Sequence, residues 1–118
     1  MKTRVVIESP LRGSDGDYEA NRAYSRRCMR DSLRRGEAPF ASHILYDQPG
    51  ILDDRYGNER ERGMQAGFAW GAVAELCAVY IDLGISDGMA EGIERAKANG
   101  IPIRRRRLSD GSDIEWKD

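Results

Sequence analysis

Short apolar runs alternate along the chain with longer segments whose apolar residues recur at helical spacing. That pattern predicts a β-α-β-α-β-α-β order. Val5-Val6-Ile7, flanked by Arg4 and Glu8, reads as the first strand, and residues 9–16, dense in Ser, Pro, Gly and Asp, stop it. Ala20, Tyr24 and Cys28 then recur at every fourth position, giving one apolar face on a helix that Asp15 or Asp17 caps and Gly36 ends. Residues 39–46 form the second strand candidate, interrupted by Ser42 and His43. The long loop 47–58 carries Pro49-Gly50 and Asp53-Asp54, and a loop of that length inside a compact domain is often functional.

A second helix is expected over residues 59–74, where Gly63, Gly67 and Gly71 fall on one stripe. Each glycine costs up to about 1 kcal/mol against alanine inside a helix. Close packing against the sheet or a partner helix is the compensation expected for it. Residues 76–83 are apolar up to Asp82, as in a strand buried on both faces. Ser86 or Asp87 then caps a helix running to Asn99-Gly100, and Ile101-Pro102-Ile103 opens the last strand. Right-handed crossovers turn this order into an α/β domain with a parallel sheet of four to five strands and helices on both faces. The domain is expected over residues 1–108, with 109–118 as a turn or mobile tail whose Trp116 packs onto the body or onto a second copy.

Composition narrows the function classes. The 118 residues suffice for one core, with 40% hydrophobic and 33% charged residues and a net charge of -1. No stretch reaches the roughly 20 apolar residues of a membrane helix, and no secretory signal pattern opens the chain, so a cytoplasmic protein is expected. The near-neutral balance argues against general nucleic-acid binding. Arg104-Arg105-Arg106-Arg107 is nevertheless a conspicuous basic run. In a strand its members point alternately to opposite faces, which suits an edge strand guarded by charge, with phosphate binding or a partner contact left open. Cys28 and Cys77 lie far apart and His43 is the only histidine, so buried free thiols are expected and neither a metal site nor a cofactor is indicated.

In such a sheet, chemistry gathers at the carboxyl ends of the strands. Three loops deliver groups there. The first carries Ser9, Arg12 and glycines able to hold a phosphate, although it lacks the spacing of a P-loop or a dinucleotide site. His43, in the second, can be a general base, a donor to a ligand, or a structural link between loops. In the third, Asp82 and Asp87 can accept hydrogen bonds from a sugar or base, or simply form the turn and cap the helix. Glu91 and Glu94 follow on that helix, where ordinary exposed charge is the alternative.

The order Ser9-Pro10-Leu11-Arg12-Gly13, Asn21, Gly36, Pro39, Ser42-His43, Gly84-Ile85-Ser86-Asp87-Gly88-Met89, Ala96 and Gly100-Ile101-Pro102 resembles the nucleoside 2-deoxyribosyltransferase-like superfamily, in particular its small phage-type members. The resemblance spans about residues 4–108. It implies a flavodoxin-like fold, a pocket for a nucleoside or nucleotide, and a homo-oligomer whose neighbours complete the pocket. It also implies cleavage or transfer of an N-glycosidic bond by a glutamate on the helix after the turn. Ser9, Arg12 and Gly13 match the first loop, and Ser86, Gly88 and Met89 match the turn.

The expected glutamate stands four residues beyond the turn glycine, and that position is Gly92. Glu91, one residue earlier, is rotated by about 100° around the helix and serves only if the helix starts in a different register. The chain therefore reads either as a nucleotide-binding protein without turnover, or as a glycosidase or deoxyribosyltransferase using Glu91 with Asp82 orienting the sugar. A protein-interaction module on the same fold is a third reading.

Overall fold

The computed structural model describes residues 1–11 and 17–118. Its elements are β1 (Arg4–Glu8), α1 (Tyr18–Arg34), β2 (Ala38–Phe40), α2 (Ser42–Leu45), α3 (Gly57–Gly71), β3 (Leu76–Tyr80), α4 (Asp87–Ala98), β4 (Ile103–Arg106) and β5 (Asp113–Glu115). The sheet order is β2-β1-β3-β4-β5, parallel except for the antiparallel β4–β5 pair. This is the expected flavodoxin-like α/β fold. The chain leaves β1 toward β2 on one side and reaches β3 on the other, so the strand order reverses between β1 and β3. Ligands in open α/β sheets bind at that reversal.

Alternation along each strand divides the core. Val5 and Ile7 of β1, with Ala78 and Tyr80 of β3, pack against Tyr24 and Cys28 of α1. Cys77 and Val79 face the other way, against Met89, Ile93 and Ala96 of α4, with Val6 beside them. Glu8 lies two residues beyond Val6 and therefore on that second face. Its register partner is Val79.

Some elements differ from the expectation. The second strand stops at Phe40, because Ser42 and His43 already belong to the short helix α2. The tail forms an edge strand, β5, and Trp116 packs onto the α4 side of the core. Strand β4 is therefore an interior strand, and Arg104 and Arg106 serve the structure rather than guard an edge. Arg106, 2% exposed, donates to both carboxylate oxygens of Glu37 at 2.8 and 2.7 Å, to Asp113 Oδ1 at 3.0 Å and to the Tyr80 hydroxyl at 3.3 Å. Tyr80 in turn donates to Asp31 at 2.8 Å. A β5 of three residues with two acids holds its place because Asp113 answers Arg104 and Arg106.

The glycine stripe of α3 resolves to close packing. A Cβ on Gly67 would stand 3.0 Å from Ser42 Cβ, one on Gly63 would touch Leu52 at 3.4 Å, and one on Gly71 would meet Val6 at 3.8 Å. The long loop after α2 is held by Asp47, whose carboxylate accepts from Tyr18 and from the Asp54 backbone N–H. Arg22 adds a 2.6 Å bond to the Asp47 carbonyl. Cys28 and Cys77 are free and buried. Among the described residues no helix is long and apolar enough to cross a membrane, and no group of side chains could hold a metal ion.

Candidate functional site

A groove of about 810 Å³ opens over the carboxyl ends of β1 and β3, between α3 and α4. The glycine stripe makes part of its wall, which keeps side chains out of the space. Pro10, Leu11 and Asn21 close one side, and the 83–88 turn with the first turn of α4 closes the other. Asn21 holds the first loop in place by donating to the Leu11 carbonyl at 2.9 Å. Gly84, at φ +89°, permits the reversal after β3. Ser86 then caps α4 by accepting from the Met89 N–H at 3.3 Å. Arg95 lies across the groove with its guanidinium 4.1 Å from the centre of the Phe68 ring, and Arg60 adds a second cation to the lining.

The expected site residues divide. Ser86, Asp87, Gly88 and His43 line the groove, whereas Met89 is a core residue beneath it. The His43 ring shares a 3.0 Å hydrogen bond between Nε2 and the Ser9 carbonyl, and burial lowers its pKa. That contact ties α2 to the end of β1, the linking role among the alternatives. Ser9 is 1% exposed and its hydroxyl donates to Ser25 at 3.0 Å, so it faces α1 rather than the groove. Arg12 and Gly13 lie outside the described residues.

Neither carboxylate expected to be catalytic reaches the groove. Helix α4 begins at Asp87 behind its Ser86 cap, and this register turns Gly92 inward and Glu91 outward. Glu91 is exposed and is not part of the groove lining, with its carboxylate 3.8 Å from Nη2 of the Arg95 that borders the groove. Asp82 is occupied elsewhere: Tyr24 donates to it at 2.6 Å, and the backbone N–H groups of Leu108 and Ser109 donate at 2.9 and 3.0 Å. Burial pushes the Asp82 pKa up, but these donors overcome it and bring it to about 2. Its work is to join α1, the turn after β3 and the end of β4.

Among the carboxylates that line the groove, Asp17, Asp47, Asp54 and Asp87 come from loops and the start of α4, whereas Glu8, which the sequence pattern presents only as the end of a strand, comes from the central strand β1. A Cβ built on Gly92 would lie 2.3 Å from Glu8 Oε2. The two positions therefore compete for one space, and the glycine is what lets the glutamate fill it. No hydrogen bond or ion pair engages the Glu8 carboxyl among the described residues. Among the described residues no fully buried side-chain oxygen lacks a partner, so the Glu8 oxygens open onto the groove. Burial raises the Glu8 pKa from 4.5 to about 8. The sequence held one signal: Glu8 shares the period-2 face of Val6 in a central strand, where an acid needs a reason.

The fold is found among solved proteins. A 2-deoxyribosyltransferase from the psychrotolerant bacterium Bacillus psychrosaccharolyticus, described as a biocatalyst for nucleoside synthesis, superposes with a TM-score of 0.69 at 12% identity, covering 98% of this chain and 87% of that one. At that identity the likeness is one of fold. No curated protein matches the chain. A family model described as a domain of unknown function, DUF7768, matches residues 3–106, and the chain belongs to that family.

Proposed function

We propose that the protein binds a nucleoside or nucleoside 5'-monophosphate in the groove between α3 and α4. The observation that carries this reading is an open 810 Å³ groove at the strand-order reversal of a deoxyribosyltransferase-like fold. Its apolar wall of Leu11, Met64 and Phe68 suits a base or sugar face, and Asn21 and Ser86 add polar edges. Arg60, Arg95 and the N–H groups opening α4 favour an anionic end on the ligand. The exposed apolar side chains of Trp70 and Val73 support association of copies through the end of α3, which light scattering on the eluting protein tests.

Thermal shift across a panel of nucleosides and their monophosphates tests the binding. A ligand at 100 times its Kd stabilises the fold by about 2.7 kcal/mol, a rise of several degrees in Tm for a domain of this size. Gly88→Phe supplies the control, since Gly88 lines the groove and a Cβ there meets nothing within 4 Å. The shift should disappear in that variant. A flat response to the whole panel, or an equal shift in Gly88→Phe, contradicts the proposal.

A further inference from the structure

Glu8 and Gly92 form a matched pair. The carboxyl group projects from the end of β1 into the space that a side chain on α4 would otherwise enter. It is an ionisable group in a central strand, open to a ligand-sized groove and engaged by no other side chain among the described residues. Unpaired carboxyl groups in such places carry a cost of burial that folding alone does not repay.

We propose that Glu8 is the catalytic carboxyl group of this groove, a general acid that drives hydrolysis of the N-glycosidic bond of a bound nucleoside monophosphate. The assignment rests on the nucleotide-binding reading above. As the bond between the sugar C1' and the base nitrogen breaks, its electron pair goes to the base and the Glu8 proton is transferred to the base. A water molecule adds its oxygen to C1' and its released proton returns to the Glu8 carboxylate. The products are free base and sugar phosphate, and Glu8 ends in the state in which it began.

The surroundings favour the protonated form that this step requires. Burial holds Glu8 neutral up to about pH 8, and among the described residues no cation offsets that effect. Around it, α4 contributes Asp87 and Arg95, with the Arg95 guanidinium placed over Phe68. Helix α3 contributes Arg60, α2 contributes His43 bonded to the Ser9 carbonyl, and β3 contributes the Cys77 thiol. The acids of the neighbouring loops are Asp17, Asp47 and Asp54, and none of these groups makes an ion pair or hydrogen bond with Glu8. A leaving base accepts a proton more readily from a neutral acid near its working pH than from an ionised one.

The test is base release by the full chain from a panel of 2'-deoxynucleoside and nucleoside 5'-monophosphates, read by chromatography, with thermal shift measured on the same nucleotides. Release should fall by about 100-fold or more in Glu8→Gln, while the thermal shift persists and Glu94→Gln matches wild type. In the wild-type protein the rate should decline as pH rises through about 8, a readout that needs no folded variant. A nucleotide that shifts Tm yet stays intact at every pH overturns the catalytic role and leaves binding standing. A loss in Glu91→Gln with none in Glu8→Gln also overturns it, as does a rate that rises through pH 8. If no nucleotide shifts Tm, the binding reading fails and the catalytic role with it.

Discussion

Two ionisable side chains are enclosed on opposite faces of this sheet, and the protein treats them in opposite ways. Arg106 faces α1 and meets Glu37, Asp113 and Tyr80. Glu8 faces the α3/α4 groove and meets a glycine. A charge answered on every side fixes the geometry of a fold, because removing any partner strands the others. A carboxyl group left unanswered contributes nothing to that geometry. The contrast separates structural electrostatics from a group held ready for something outside the chain.

The largest effect expected from breaking the contrast is on the paired side. Arg106→Met leaves Glu37 and Asp113 without their shared cation and should cost about 3–5 kcal/mol in urea denaturation. It should also release β5, seen as rapid amide exchange at residues 113–115. On the unpaired side the sign reverses. Because the folded Glu8 pKa lies near 8 and the ordinary value is 4.5, the folded state keeps a proton between those pH values that the unfolded chain has lost. The Glu8 contribution to stability should therefore decline from about pH 4.5 to about pH 8, by an amount on the order of 3 kcal/mol after allowing for the opening to the groove, against the opposite trend of the buried His43. Glu8→Gln should flatten that decline, and denaturation midpoints of both proteins against pH read it directly.

Asp82 sharpens the comparison, since it is a carboxylate near the same strand ends yet belongs with the paired group. Asp82→Ala should cost about 2 kcal/mol through the loss of Tyr24, Leu108 and Ser109 as donors, without altering any nucleotide-induced thermal shift. Its own pKa is depressed, so its contribution should be present above the ordinary value of 3.8 and disappear as pH falls toward about 2. The smallest effect is at Gly92. In wild type, Gly92→Ala forces the Glu8 carboxyl aside and should destabilise. In a Glu8→Ala background the same change should gain up to about 1 kcal/mol of helix propensity. A double-mutant cycle that finds the two changes additive would deny that the residues share one space.

The frame of the molecule was legible in the sequence where local chemistry and tertiary packing agree. Val5-Val6-Ile7, the apolar run 76–83, the Ser86 or Asp87 cap and the Asn99-Gly100 stop located β1, β3 and α4, although β3 ends at Tyr80 and Ser86 is the cap. Strand β5 was not legible, since Asp113-Ile114-Glu115 becomes a strand through its pairing with β4 and through Arg104 and Arg106, both remote from local propensity. Residues 42–46 misled for the opposite reason: the apolar Ile44 and Leu45 belong to a helical turn that packs beside α1 and α3. The groove was legible as a place at the strand ends, while a function for its residues is a proposal. Ser86, Asp87, Gly88 and His43 do line the groove. The contact between Glu8 and Gly92 did not show, because a strand-ending glutamate and a helix glycine are brought together only by the fold.

The most direct measurement is a carbon-13 NMR titration of the Glu8 carboxyl carbon, assigned by comparison with Glu8→Gln, in the free protein and with a nucleotide that shifts Tm. The account predicts a midpoint near 8 in the free protein and a displaced midpoint in the complex. A midpoint near 4.5, or one that the bound nucleotide does not move, contradicts it.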